Sequence, residues 1–125
     1  MRRASLWAAS VLAGVLASAA PAYAGYGAIA YDLNADRYGF AWNEPNQARA
    51  SELAKKDCGG SADCRLFPVP PGQCGALATA ENHKESNAWG VSIRPNRDDA
   101  QARAISDCQK HTKGQCKVRG SECNR

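Results

Sequence analysis

The sequence predicts an α+β fold: a single disulfide-rich domain in which duplicated ββαβ units give one antiparallel sheet with two packed helices. Three observations carry this expectation. Six cysteines, Cys58, Cys64, Cys74, Cys108, Cys116 and Cys123, stand in a short chain that opens with an export signal, the pattern of a disulfide framework. Short aromatic and β-branched runs alternate with Ala-patterned helical runs. The two halves also repeat each other's landmarks.

Residues 1–24 read as a signal peptide. Arg2 and Arg3 supply the positive start, and Leu6 to Ala17 is an uncharged apolar run, shorter than the ~20 residues that span a bilayer. Pro21 then precedes Ala22-Tyr23-Ala24, the small-x-small pattern of a cleavage site. Cleavage after Ala24 leaves residues 25–125 as one domain, with no second apolar stretch and no expected transmembrane segment. The full chain carries 16 basic and 12 acidic residues; losing Arg2 and Arg3 and no acid lowers the net charge from +4 to +2. That is too little for a nucleic-acid footprint.

In chain order, Ala28 to Tyr31 and Tyr38 to Trp42 read as strands, joined by the turn-rich Asp32-Leu33-Asn34-Ala35-Asp36. Asn46, after Pro45, is placed to cap a helix over Gln47 to Asp57. Ala50, Leu53, Ala54 and Cys58 give that helix an apolar side at helical spacing. Arg65 to Val69 reads as the next strand. The second half follows suit: Gly75-Ala76-Leu77-Ala78 echoes Gly27-Ala28-Ile29-Ala30, and Trp89 to Ile93 loosely echoes Tyr38 to Trp42. A helix capped by Asp98 turns Ala100, Ala104, Ile105 and Cys108 inward, and Lys117 to Gly120 is the last strand.

The repetition constrains the cysteines. Asp57-Cys58 corresponds to Asp107-Cys108, Cys64 to Cys116 and Cys74 to Cys123. The simplest symmetric scheme joins Cys58 to Cys64 and Cys108 to Cys116, and pairs Cys74 with Cys123 across the two halves. The gaps between successive cysteines, five, nine, 33, seven and six residues, lack the C-x2-4-C spacing of structural zinc. No metal and no cofactor is expected.

Gly-Ala-Ile-Ala-Tyr from Gly27, the Ala-rich helix ending in Cys58, Cys74-Gly75-Ala76-Leu77-Ala78, Trp89-Gly90 and the second Ala-rich helix ending in Cys108 together resemble the bacterial DUF4189 family. The resemblance covers essentially all of residues 25–125. It departs in the polar insertion Ala80 to Asn87 and in Phe67-Pro68-Val69-Pro70-Pro71, which interrupts a strand. It implies a small periplasmic or secreted bacterial protein and no particular activity.

Candidate sites are few. Asp32-x-Asn34-x-Asp36 has the opening of a calcium loop, but Arg37 and Asn43 stand where such a loop needs Gly and Glu, so an Asx-rich turn is the better reading. Glu81, His83 and Glu85 alternate and would share one side if the segment were extended; a solvated loop competes with an acid/base cluster. Lys110, His111, Lys113, Lys117 and Arg119 make the C-terminal end basic, a surface for an anionic partner or simply a solvated face. Tyr38, Phe40, Trp42 and Trp89 could form a carbohydrate platform, although at least half should face the core.

No Gly-x-Ser-x-Gly elbow, phosphate loop or H-E-x-x-H helix occurs in the chain. The sequence therefore favours binding over catalysis: a binding or inhibitor (immunity-like) module whose partner is a protein or an envelope polysaccharide. The competing readings are a small envelope hydrolase using Glu81 and Glu85, and a structural envelope protein.

Overall fold

The computed structural model describes residues 25–125; the expected signal peptide, residues 1–24, lies outside the described residues. The elements run β1 (Tyr26–Asp32), β2 (Arg37–Glu44), α1 (Gln47–Asp57), β3 (Arg65–Val69), β4 (Cys74–Ala80), β5 (Trp89–Arg94), α2 (Arg97–Gln109) and β6 (Cys116–Cys123). The expectation of one sheet is corrected. The strands form two antiparallel three-stranded sheets, in the orders β2-β1-β3 and β5-β4-β6.

The central strands explain why there are two. Alternate residues of a strand point to opposite faces, and here both faces are apolar. Ala28 and Ala30 of β1 share a buried cluster with Ala50 and Ala54 of α1 and with Cys58 and Cys64. Ile29 and Tyr31, on the other face, are buried with Val69 and with Leu77 of the second sheet. In β4, Ala76, Ala78 and Ala80 join Ala100, Ala104 and Cys108, and all seven strand residues are buried. A single sheet with helices on one face would leave Ile29, Tyr31 and Leu77 in water. Burying each such side chain between sheets contributes roughly 1.5–3 kcal/mol.

Small residues set the distances. A Cβ at Gly39 would overlap the carbonyl oxygen of Ala54, and one at Gly90 would overlap that of Ala104, so each helix backbone rests directly on a strand. Between the sheets, the Phe40 ring occupies the space a side chain at Gly120 would need.

The helix ends follow from local chemistry. Asn46 Oδ1 accepts the Arg49 N–H at 2.8 Å, the cap expected for α1. For α2 the expected cap is corrected from Asp98 to Asn96, whose Oδ1 accepts the N–H groups of Asp98 and Asp99 at 2.8 and 3.2 Å. Asp98 and Asp99 instead occupy the first turn, where their negative charge complements the helix dipole. The disulfides are Cys58–Cys64, Cys74–Cys123 and Cys108–Cys116, the pairs that the positional correspondence gives. Among the described residues, no helix is long and apolar enough to cross a membrane.

Candidate functional site

Three connections carry most of the candidate polar side chains, the β1–β2 turn, the β4–β5 loop and the α2–β6 loop, while Lys117 and Arg119 lie on β6. Backbone and side-chain contacts hold the three connections to one another. Glu81 N–H donates to the Gln115 carbonyl at 2.7 Å, which joins the second loop to the third. His83 Nδ1 lies 3.7 Å from Asp36 Oδ1, which joins the second to the first.

The Glu81, His83 and Glu85 trio is not extended and does not share a side. The Asn82 carbonyl accepts the N–H groups of Glu85 and Ser86, both at 3.1 Å, and this turn sets His83 apart from the two glutamates. Glu81 and Glu85 line an open groove of about 420 Å³ with Thr112, Lys113 and Gln115. His83 faces Asp36 instead.

The basic end likewise divides. Lys110 and His111 line a cleft of about 680 Å³ with Trp89, Val91, Asp107 and Asn87. Lys113 belongs to the Glu81/Glu85 groove, and Lys117 is exposed on β6. Arg119 turns inward: its Nε donates to Thr79 Oγ1 at 2.8 Å and an Nη to the Ala80 carbonyl at 3.3 Å. One continuous cationic patch is therefore replaced by a cleft, a groove and an internal tie.

Arg119 points towards a small polar cluster that sequence reasoning did not assemble. Tyr31 is buried, and its hydroxyl donates to Asp36 Oδ1 at 3.3 Å. Burial, followed by the Asp36 charge and hydrogen bond, pushes the phenol well above its ordinary value, against a smaller opposing pull from Arg119. Asp32 Oδ1 accepts the N–H groups of Asn34 and Ala35 at 3.0 and 3.1 Å, so Asp32 acts as the acceptor of an Asx turn.

The aromatics share one face, as period two requires of Tyr38, Phe40 and Trp42 on β2, and Phe40, Trp42 and Trp89 pack against the cluster between the sheets. Trp89 is partly buried between the sheets, 5.5 Å from the Phe67 ring and 6.0 Å from Tyr31. Phe40 stacks on Trp42 at 6.2 Å, and Tyr38 extends that row outward.

One residue outside the expected sites closes a strand margin. Asp57 Oδ2 accepts the Phe40 N–H at 3.0 Å. Its positional counterpart Asp107 is turned to Lys110 and Arg103, at 3.3 and 3.7 Å. The sequence signal was present, as the recurrence of Asp before Cys58 and Cys108, but one-dimensional spacing could not show that the two carboxylates face different partners.

Comparison with known proteins returns a fold and a family. The chain is similar to the NMR structure of Rv1813c from Mycobacterium tuberculosis, with a TM-score of 0.60, 22% sequence identity and coverage of 99% of this chain and 96% of that one. That likeness speaks to the fold. No curated protein matches the chain. The model of a domain of unknown function, DUF4189, matches residues 26–123, and this chain therefore belongs to the DUF4189 family.

Proposed function

We propose that this protein is an exported binding module, periplasmic or secreted, of the inhibitor or immunity-like kind. The observation that carries the reading is a mixed cleft on a cross-linked scaffold. Lys110, His111, Asp107 and Asn87 surround the edge of Trp89 in about 680 Å³, within the range of ligand-sized sites. Two disulfides, Cys74–Cys123 and Cys108–Cys116, brace the sheet and helix that carry it. Such bonds persist in oxidising compartments, which supports export and cleavage after Ala24. The matching order of strands about β1 and β4 supports an origin of the domain in duplicated ββαβ units.

A second reading, a small envelope hydrolase, is favoured by one observation: Glu81 and Glu85 line the same groove. The two readings separate in one assay. Oxidised protein of residues 25–125 is incubated with purified murein, and soluble fragments are followed beside the Glu81→Ala/His83→Ala/Glu85→Ala variant. The binding reading predicts no turnover by either protein. Turnover by the parent, lost in a variant that keeps its fold, would overturn it in favour of the hydrolase. A structural envelope role predicts that neutralising Lys110, His111 and Lys113 leaves partner capture unchanged, whereas the binding reading predicts its loss.

A further inference from the structure

A stack of two three-stranded sheets has four edge strands, here β2, β3, β5 and β6. Edge strands expose unpaired backbone groups that recruit other chains, and proteins blunt them with prolines, bulges or capping side chains. Three of these four edges are blunted, each by its own device.

On β2, Asp57 takes the outward N–H of Phe40, and the pairing with β1 shifts register between Tyr26 and Ala28. On β3, Pro68 sits opposite Ala28, at a position whose backbone points away from β1, and proline offers no N–H there. On β6, Gln109 Oε1 accepts the Cys116 N–H at 2.8 Å, and Arg97 donates to the Ser121 carbonyl at 3.1 Å. The β4–β6 register also shifts between Leu77 and Ala78.

β5 has neither a proline nor a shift of register, and its one capping contact, from Arg94 Nη1 to the Ile93 carbonyl at 3.3 Å, leaves the outward N–H groups open. Its register with β4 runs unbroken from Cys74 opposite Arg94 to Thr79 opposite Trp89. Ala80 N–H donates to the Ala88 carbonyl. In an antiparallel ladder hydrogen-bonded pairs alternate, so Gly90 and Ser92 bond to β4 while Trp89, Val91 and Ile93 present their N–H and C=O groups outward. Among the described residues, no side chain caps the outward N–H groups of these three. Asp107, which corresponds to the Asp57 that closes β2, is held by Lys110 and Arg103 instead. The Lys110/His111 cleft opens directly onto this edge, at Trp89 and Val91.

The geometry points to β5 as a docking edge that takes an extended acidic peptide of a partner protein as an added strand. The inference rests on the binding reading above and names its site and its partner's chemistry. Main-chain bonds to Trp89, Val91 and Ile93 supply the pairing, as in strand addition generally. Charge supplies the preference: beside this strand Arg94, Arg103 and Lys110 exceed Asp99 and Asp107 by one positive charge, with Arg103 and Lys110 sharing the single carboxylate of Asp107. The same charges disfavour a second copy of this chain. Antiparallel pairing of β5 with itself brings Arg94 of one molecule towards the Trp89 end of the other, where Lys110 stands, and like charges there repel.

The test uses ¹⁵N-labelled, oxidised protein of residues 25–125 and a capped peptide, acetyl-Glu-Val-Glu-Val-Glu-Val-Thr-Glu-amide, with a second peptide carrying Lys for each Glu. Amide signals and hydrogen exchange are read residue by residue. The expected result is a shift of the Trp89, Val91 and Ile93 amides and about tenfold slower exchange at saturation, as for any newly protected backbone. The Lys peptide leaves them unchanged. An N-methylated form of the acidic peptide fails, and so does Val91→Pro, which removes an outward N–H and no bond to β4. Should Val91→Pro not fold, the N-methylated peptide alone decides the point. Shifts confined to the Glu81–Lys113 groove, or no shift with the acidic peptide, overturn the inference. Concentration-dependent shifts of the same amides without peptide overturn it in favour of self-pairing. A partner captured from extract that leaves β5 unprotected sinks this inference and spares the binding reading.

Discussion

Asn124 and Tyr31 show how much a single polar side chain holds in a domain built largely of alanine. The amide of Asn124 is buried, accepts the Asn43 N–H at 3.0 Å and donates to the carbonyls of Val69 and Pro70 at 2.8 and 3.2 Å. It thus joins the residue after β6 to β2 and to the end of β3. Asn124→Ala leaves these groups without their partner, and we expect a loss of about 2 kcal/mol, read as a lower midpoint of urea unfolding under oxidising conditions. Tyr31 predicts a pH effect. Its ordinary value is 10.0 and the folded value is higher. A raised value means that the neutral phenol is favoured in the fold. Its contribution is therefore complete below pH 10 and is lost as pH rises from there through the folded value. Tyr31→Phe should cost about 0.5–1.5 kcal/mol at neutral pH, from the lost Asp36 bond, and flatten the decline above pH 10. An equally steep decline in the variant would contradict this.

At the scale of elements, strands and helices were legible and their assembly was not. Arg65 to Val69 reads as a strand within its observed bounds, and Pro68 is accommodated because β3 is an edge strand, which tolerates a residue without an N–H. Asn46 is recognisable as a cap, whereas Asn96 stands beside two aspartates that compete for the same role. The second sheet is hidden in the sequence because Ile29, Tyr31 and Leu77 mark a strand without showing what covers them, while Ala28, Ala30, Ala76 and Ala78 fill the helix side. Strands apolar on both faces require a layer on each side. Of the candidate sites, sequence supplied Lys110, His111, Glu81 and Glu85 but not their grouping, which depends on loop turns that spacing does not encode. Edge control is the property of elements that can be checked most simply. Asp57→Ala should speed exchange of the Phe40 amide by about tenfold while the Ala28 and Ala30 amides stay protected; unchanged exchange would mean that the carboxylate does not close that edge.

For the whole molecule, three cross-links support a core whose helix-facing layers are mostly alanine. Cys58–Cys64 and Cys108–Cys116 close short loops, with separations of 6 and 8, whereas Cys74–Cys123 spans 49 residues and fastens β4 to β6. Chain entropy assigns the long closure about 4 kcal/mol and each short one about 2–3 as upper bounds. Replacing Cys74 and Cys123 together by Ser should therefore lower the thermal midpoint more than replacing either short pair. An equal effect of all three would show that the staples act through native strain or local order instead.

The central claim is that this cross-linked domain binds a partner, and one capture experiment addresses it most directly. Immobilised, oxidised protein of residues 25–125 is exposed to periplasmic extract, culture medium and purified murein, and bound material is identified by mass spectrometry. The account predicts one protein retained stoichiometrically and released when the disulfides are reduced. Retention of murein alone would turn the reading from an inhibitor of a protein to an envelope binder or hydrolase, and an empty matrix in all three would contradict the claim.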